Sequence, residues 1–260
     1  MKFFRCISIL ALIIGIPMLA VAGDMVPVPV EKLSAGDLGT MEVPAPFFID
    51  TCEVTNAEFS AFLAAVVPDS EEPWRTWING EDPNFKIDTA SESFDVQEGF
   101  ETHPVVTVTL EGALRYAEWA GKAIPTNAQW EAAARLGGAL SAAGEGETPG
   151  EDDASTEIDT TPQDPSELGP VSVEDLTPDD LGLFGILGNV WEWTRGEYET
   201  DYLSFMPTLG LSPAAGPSLS IVRGGGFLMD LDGLTEYPSA ATSPKARFGN
   251  IGFRCVKEAD

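Results

Sequence analysis

The chain has 260 residues, with 14 Lys and Arg against 42 Asp and Glu and a formal net charge of −28. Such a surface repels nucleic acid and anionic membranes and excludes both as partners. The single histidine, His103, excludes metal sites built from several histidines and leaves one candidate for any catalytic triad.

Residues 1–22 read MKFFRCISILALIIGIPMLAVA, a basic start, an apolar run and an Ala20-Val21-Ala22 cleavage signal. They predict a secretory signal peptide, an exported protein in the periplasm or outside the cell, and a mature chain of 23–260 with no membrane attachment. An uncleaved anchor is the alternative, but the apolar run is short for a span. Two cysteines follow the signal, Cys52 and Cys255. An even count in an oxidising compartment favours a disulfide, against the alternative of two buried free thiols.

FFID at 47–50 reads as a strand. Thr55-Asn56-Ala57-Glu58 is a capping box, predicting a helix from about Asn56 to Val67 with Phe59, Phe62, Leu63 and Val66 on one face. Residues 68–104 read as irregular. Val105–Val108 reads as a short strand. Thr109 then caps a helix whose buried stripe is Leu110, Leu114 and Ala117, with Gly121 as its stop. Thr126-Asn127-Ala128-Gln129 opens a third helix ending near Gly137. Residues 138–180 are acidic and rich in Gly, Pro, Ser and Thr, which predicts a single domain interrupted by a disordered loop at 138–180.

From 181 onward the pattern is short strands and turns. In GILGNVWEWTRG (185–196), Gly188-Asn189 reads as a bend into a strand. Trp191 and Trp193 then share one face, and Val190, Glu192 and Thr194 the other. SIVRGGGF (220–227) and GNIGFRCV (249–256) read as two further strands. Gly224–Gly226 suggests positive φ or a close backbone approach.

Taken in order, FFIDTCEVTNAEFSAFL, HPVVTVTLEGALRYAEWAGKAIPTNAQWEAAAR, LGNVWEW, VRGGGF and IGFRC resemble the formylglycine-generating enzyme family, also called the sulfatase-modifying factor family. The likeness spans nearly all of 25–257 outside the acidic loop. It implies an α+β fold, an irregular C-type-lectin-like frame of few short helices and strands and much loop. It also implies that the N- and C-terminal strands lie side by side, which brings Cys52 toward Cys255. The family's usual partner for the cysteine of GFRC would stand where this chain has Ala117.

Active family members use copper(I) held by two cysteines beyond the RGG motif to convert a sulfatase cysteine to formylglycine. Met229 and Leu234 occupy those places here, and a thioether cannot supply thiolate chemistry. No catalytic residue and no resident cofactor is therefore expected. The family's calcium site, carried onto this chain, would use the carbonyls of Gly188 and Val190 and the carboxylate of Glu192. Gly185 stands where that site's further side-chain oxygen would be. The alternative for Glu192 is a pair with a buried arginine, Arg223 or Arg254. The leading expectation is an extracytoplasmic, non-catalytic binding or scaffolding module with a protein, glycan or small-molecule ligand. The alternatives are a sulfatase-maturation oxidoreductase and a sulfatase-binding accessory protein.

Overall fold

The computed structural model describes residues 23–33, 38–39, 41–42, 44–67, 73–91, 93–140, 169–197 and 219–259. The expected signal peptide and the most acidic part of the 138–180 loop, 141–168, lie outside these. Among the described residues, seven strands and three α-helices follow in the order β1 (Met25–Val28), β2 (Phe47–Asp50), α1 (Asn56–Val66), α2 (Leu110–Trp119), α3 (Asn127–Leu136), β3 (Trp191–Glu197), β4 (Ser220–Arg223), β5 (Ser239–Thr242), β6 (Ile251–Gly252) and β7 (Val256–Glu258). One sheet has the order β1-β2-β7 and the other β5-β4-β3-β6, with β3 and β6 parallel.

Local chemistry sets the helix starts. Thr55 and Glu58 form a reciprocal capping box at α1, and Thr126 and Gln129 do the same at α3, each satisfying two otherwise orphaned donors. Phe59, Phe62 and Leu63 of α1 are buried with Tyr116 of α2, Trp77, Trp193 and Phe253 in one aromatic core. A second cluster packs β1, β2 and Trp130 of α3 against Ile186 and Tyr237.

Two expectations for the central segment change. Val105–Val108 is buried but is not a strand. Thr107 sits at φ 61° and breaks the extended run, held by its N–H donating to Phe248 O and its hydroxyl to Asn79 O. The buried face of α2 is Gly112, Ala113, Tyr116 and Ala117, whereas Leu114 is 39% exposed. The cause is Gly112, where a Cβ would stand 2.9 Å from Trp77 Cβ and 3.0 Å from Trp77 O, so only glycine lets α2 approach there. Within 169–180, hydrogen bonds tie the described end of the acidic loop to the rest of the fold. Val173 N–H donates to Thr102 O, and the Asp179 carboxylate accepts from the N–H groups of Leu181 and Leu183.

The expected Cys52–Cys255 disulfide is not formed, and both residues are free thiols. The terminal strands do pair, from Phe47 opposite Glu258 to Ile49 opposite Val256. That register places Asp50 opposite Cys255. Asp50 N–H donates to Cys255 O, and Cys255 N–H donates to the Asp50 carboxylate, both at 2.9 Å. Cys52 lies two residues further on, past the strand end, while Cys255 is in the core with Tyr116 and Ala117.

Candidate functional site

The positive φ of Gly188 (82°) and Asn189 (47°) makes the bend that delivers β3 into the interior. Trp193 is fully buried and its indole N–H donates to Val108 O at 2.9 Å. Trp191 is half-buried and packs on the same core, so the two rings fix the strand. That orientation turns Glu192 the other way, toward α3.

Glu192 is 0% exposed and its partner is Arg254, also 0% exposed. Arg254 Nη2 donates to Oε1 at 2.8 Å and Nε to Oε2 at 2.8 Å. Trp130 of α3 donates its indole N–H to Oε2 at 2.9 Å. Arg254 further donates to the carbonyls of Asp50 and Thr51, each at 3.2 Å, and of Phe184 at 2.7 Å. It thereby joins β2, the 184–192 turn and the end of the chain. Arg223 stands across the ladder from Glu192, but its guanidinium pairs with Glu131 of α3 and lies 4.9 Å from the Trp130 ring centre.

A second carboxylate shares this interior. Glu53 is 0% exposed, with Oε2 3.9 Å from Arg254 Nη2 and Oε1 accepting from Asn189 Nδ2 at 3.2 Å. Glu53 Oε2 has no hydrogen-bond partner among the described residues. Burial pushes the Glu53 carboxyl up to about 8; Arg254 opposes this and Glu192 adds to it. Gly185 now has a reason. At φ 64° a Cβ there would come within 2.5 Å of Glu53 Oε1, so Glu53 fills the space a side chain at 185 would need. Sequence reasoning missed Glu53. Its signal was an acid between the apolar neighbours Cys52 and Val54.

This donor set does not fit calcium at Glu192. Both carboxylate oxygens already accept from Arg254 or Trp130. A cation would have to displace a buried guanidinium and leave it unpaired. The Gly188 and Val190 positions lie at the bend as expected, and the carboxylate between them and the core belongs to Arg254. Among the described residues, no group of three or more His, Cys, Asp or Glu is arranged to hold a metal ion.

The glycine turn after β4 is built for close approach. Gly224 and Gly225 have φ of 94° and 84°, and a Cβ on Gly224 would lie 2.9 Å from Ile186 O. Met229 folds back on it, its sulfur 2.7 Å from where a Gly225 Cβ would be. Leu234 is half-buried nearby in sequence. The two thiols are elsewhere and are held protonated. Burial raises Cys52 to about 11 and Cys255 well above its ordinary value. His103 lies 4.8 Å from the Phe100 ring, and its backbone carbonyl accepts from Asn56 N–H. It is a loop residue that helps seat the start of α1.

Two irregular sheets, three short capped helices and a buried arginine–carboxylate centre beneath the WEW strand define a C-type-lectin-like α+β domain of the sulfatase-modifying type. The chain belongs to the family of the sulfatase-modifying factor enzyme 1-like domain, which matches residues 29–259. It is 32% identical over 254 residues to the formylglycine-generating enzyme of Streptomyces coelicolor, covering 83% of this chain and 79% of that one. It is 33% identical over 215 residues to the serine/threonine-protein kinase Pkn1 of Chlamydia trachomatis, covering 82% of this chain but 33% of the kinase. Among solved structures, that of CarF superposes with a TM-score of 0.59 at 19% identity, covering 91% of this chain and 98% of that one, a likeness of fold alone.

Proposed function

We propose that this protein is an exported, non-catalytic binding or scaffolding module built on the formylglycine-generating frame. The observation that carries the reading is the placement of sulfur. The family's copper chemistry needs two thiolates beyond the RGG turn, and this chain has Met229 and Leu234 there. Its only cysteines after residue 22 sit at the β2–β7 end of the fold, with thiols raised in pKa by burial. A thiolate is the nucleophile and the soft ligand copper(I) selects, so neither role is filled. The loss of the family's chemistry leaves a rigid frame with loops displayed on it, which suits recognition.

The similarity to the Streptomyces coelicolor enzyme supports the competing reading, a sulfatase-maturation oxidoreductase. The two separate cleanly. The purified protein, incubated with copper(I) and a Cys-x-Pro-x-Arg peptide, is expected to leave the peptide mass unchanged. Catalytic conversion of the peptide cysteine to an aldehyde would overturn the proposal.

A further inference from the structure

A cleft of about 870 Å³ runs along the face of α2 turned away from the core. That volume lies in the upper part of the roughly 300–1,000 Å³ typical of ligand sites. It is lined by the apolar Leu110, Leu114 and Pro244 and by the cations Arg75, Arg115, Lys245 and Arg247, with Glu111 and Glu118 beside them. These are four of the twelve Lys and Arg that follow residue 22. Three of the remaining eight, Lys122, Arg223 and Arg254, are consumed in buried pairs. Four cations therefore line one concave surface of an acidic protein, beside the two carboxylates Glu111 and Glu118.

Arg75, Lys245 and Arg247 are exposed, and no carboxylate among the described residues pairs with any of them. Arg75 is pre-positioned, its guanidinium 4.3 Å from the Trp74 ring centre, and Arg247 is anchored by donating to Ile78 O at 2.9 Å. Arg115 already contacts Glu111 one turn away at 3.4 Å.

We propose that this cleft docks an acidic peptide segment of a partner protein, one that mixes carboxylates with apolar side chains. It deepens the binding-module reading and rests on it. The cations match the carboxylates, and Leu110, Leu114 and Pro244 match the apolar groups. A dense polyanion fits less well. It would make no use of the leucines and, carrying many charges, would feel the net charge of −28 more than a short segment does. At physiological salt, charges beyond about 8 Å are screened, so a short segment with a few carboxylates feels the local cations.

The test is fluorescence anisotropy of a labelled Glu/Asp/Leu peptide at physiological salt. Saturable binding is expected, weakened at least tenfold by Arg75→Glu with Lys245→Glu and several-fold by Leu114→Ser. All three residues are exposed, so the variants should keep the wild-type melting temperature. A peptide with Gln and Asn in place of the acids should not bind. Absence of binding, or binding indifferent to the charge reversals, overturns the proposal. So does equal or tighter binding of a sulfated oligosaccharide. Self-association abolished by the same reversals, with no peptide binding, would assign the cleft to a second copy and overturn it too. Peptide turnover with copper(I) reports on the binding-module reading instead, so the two failures are distinguishable.

Discussion

Arg254→Met is expected to leave the chain unable to hold its fold. The guanidinium is fully buried and makes contacts that no apolar side chain can replace. It neutralises Glu192, faces Glu53 at 3.9 Å and caps the carbonyls of Asp50, Thr51 and Phe184. Removing it strands the Glu192 carboxylate in a site with 0% exposure, beside the buried Glu53 carboxyl. Breaking one buried pair from one side costs about 3–5 kcal/mol. Total stability of a domain is about 5–15 kcal/mol, so the loss is a large share of it. Lysine should rescue little, because a point charge cannot form the two-pronged contact with Glu192 and still reach three carbonyls. Urea unfolding followed by circular dichroism measures this. A midpoint within experimental error of wild type would show that the buried centre is dispensable.

The second large effect is a loss of stability as pH rises. Glu53 is raised to about 8 and Asp50 to about 6, in both cases chiefly by burial. A carboxyl raised on folding binds its proton more tightly in the native state. Its stabilising contribution is whole below its unfolded pKa and is lost as pH climbs through the folded value. The window is therefore about pH 4 to 6 for Asp50 and about pH 4.5 to 8 for Glu53. His103, lowered by burial, works in the opposite sense near its own pKa. Glu53→Gln isolates the contribution of the more strongly shifted carboxyl. It keeps the side-chain shape and the acceptor for Asn189 but holds no charge beside Glu192. The variant should be more stable than wild type at pH 8.5 and lose that advantage by pH 5. On the linkage scale of about 1.36 kcal/mol per pKa unit, the swing is on the order of 3 kcal/mol. Thermal melts from pH 5 to 8.5 read it, and parallel curves for the two proteins would remove Glu53 as the cause.

What the sequence disclosed well was local. The capping boxes at Thr55–Glu58 and Thr126–Gln129 act within four residues, and both helices begin where those boxes put them. Gly224–Gly226 announced a close approach, since no other residue type meets Ile186 O so nearly. What failed depended on distant partners. Thr107 takes its positive φ from bonds to Asn79 and Phe248, neither visible in a run that reads Val-Val-Thr-Val. Leu114 is turned outward because Gly112, two residues before it, admits Trp77. The choice between Arg223 and Arg254 as partner for Glu192 was open in the sequence. It is settled by α3, whose Glu131 takes Arg223 and whose Trp130 supplies a further donor to Glu192. Glu53 was invisible as a member of the site because its neighbours Asn189 and Arg254 lie more than 130 residues away.

On the reading proposed above, the family frame persists here without its thiolate copper chemistry. Competition for copper(I) between the native protein and a chromophoric chelator decides the matter. With Met229 and Leu234 beyond the glycine turn and both thiols held protonated in the fold, the native protein should leave the copper with the chelator. The chain should capture copper only after urea exposes Cys52 and Cys255. One equivalent of copper(I) withdrawn from the chelator by the folded protein would show that a thiolate-quality site survives, against the proposal.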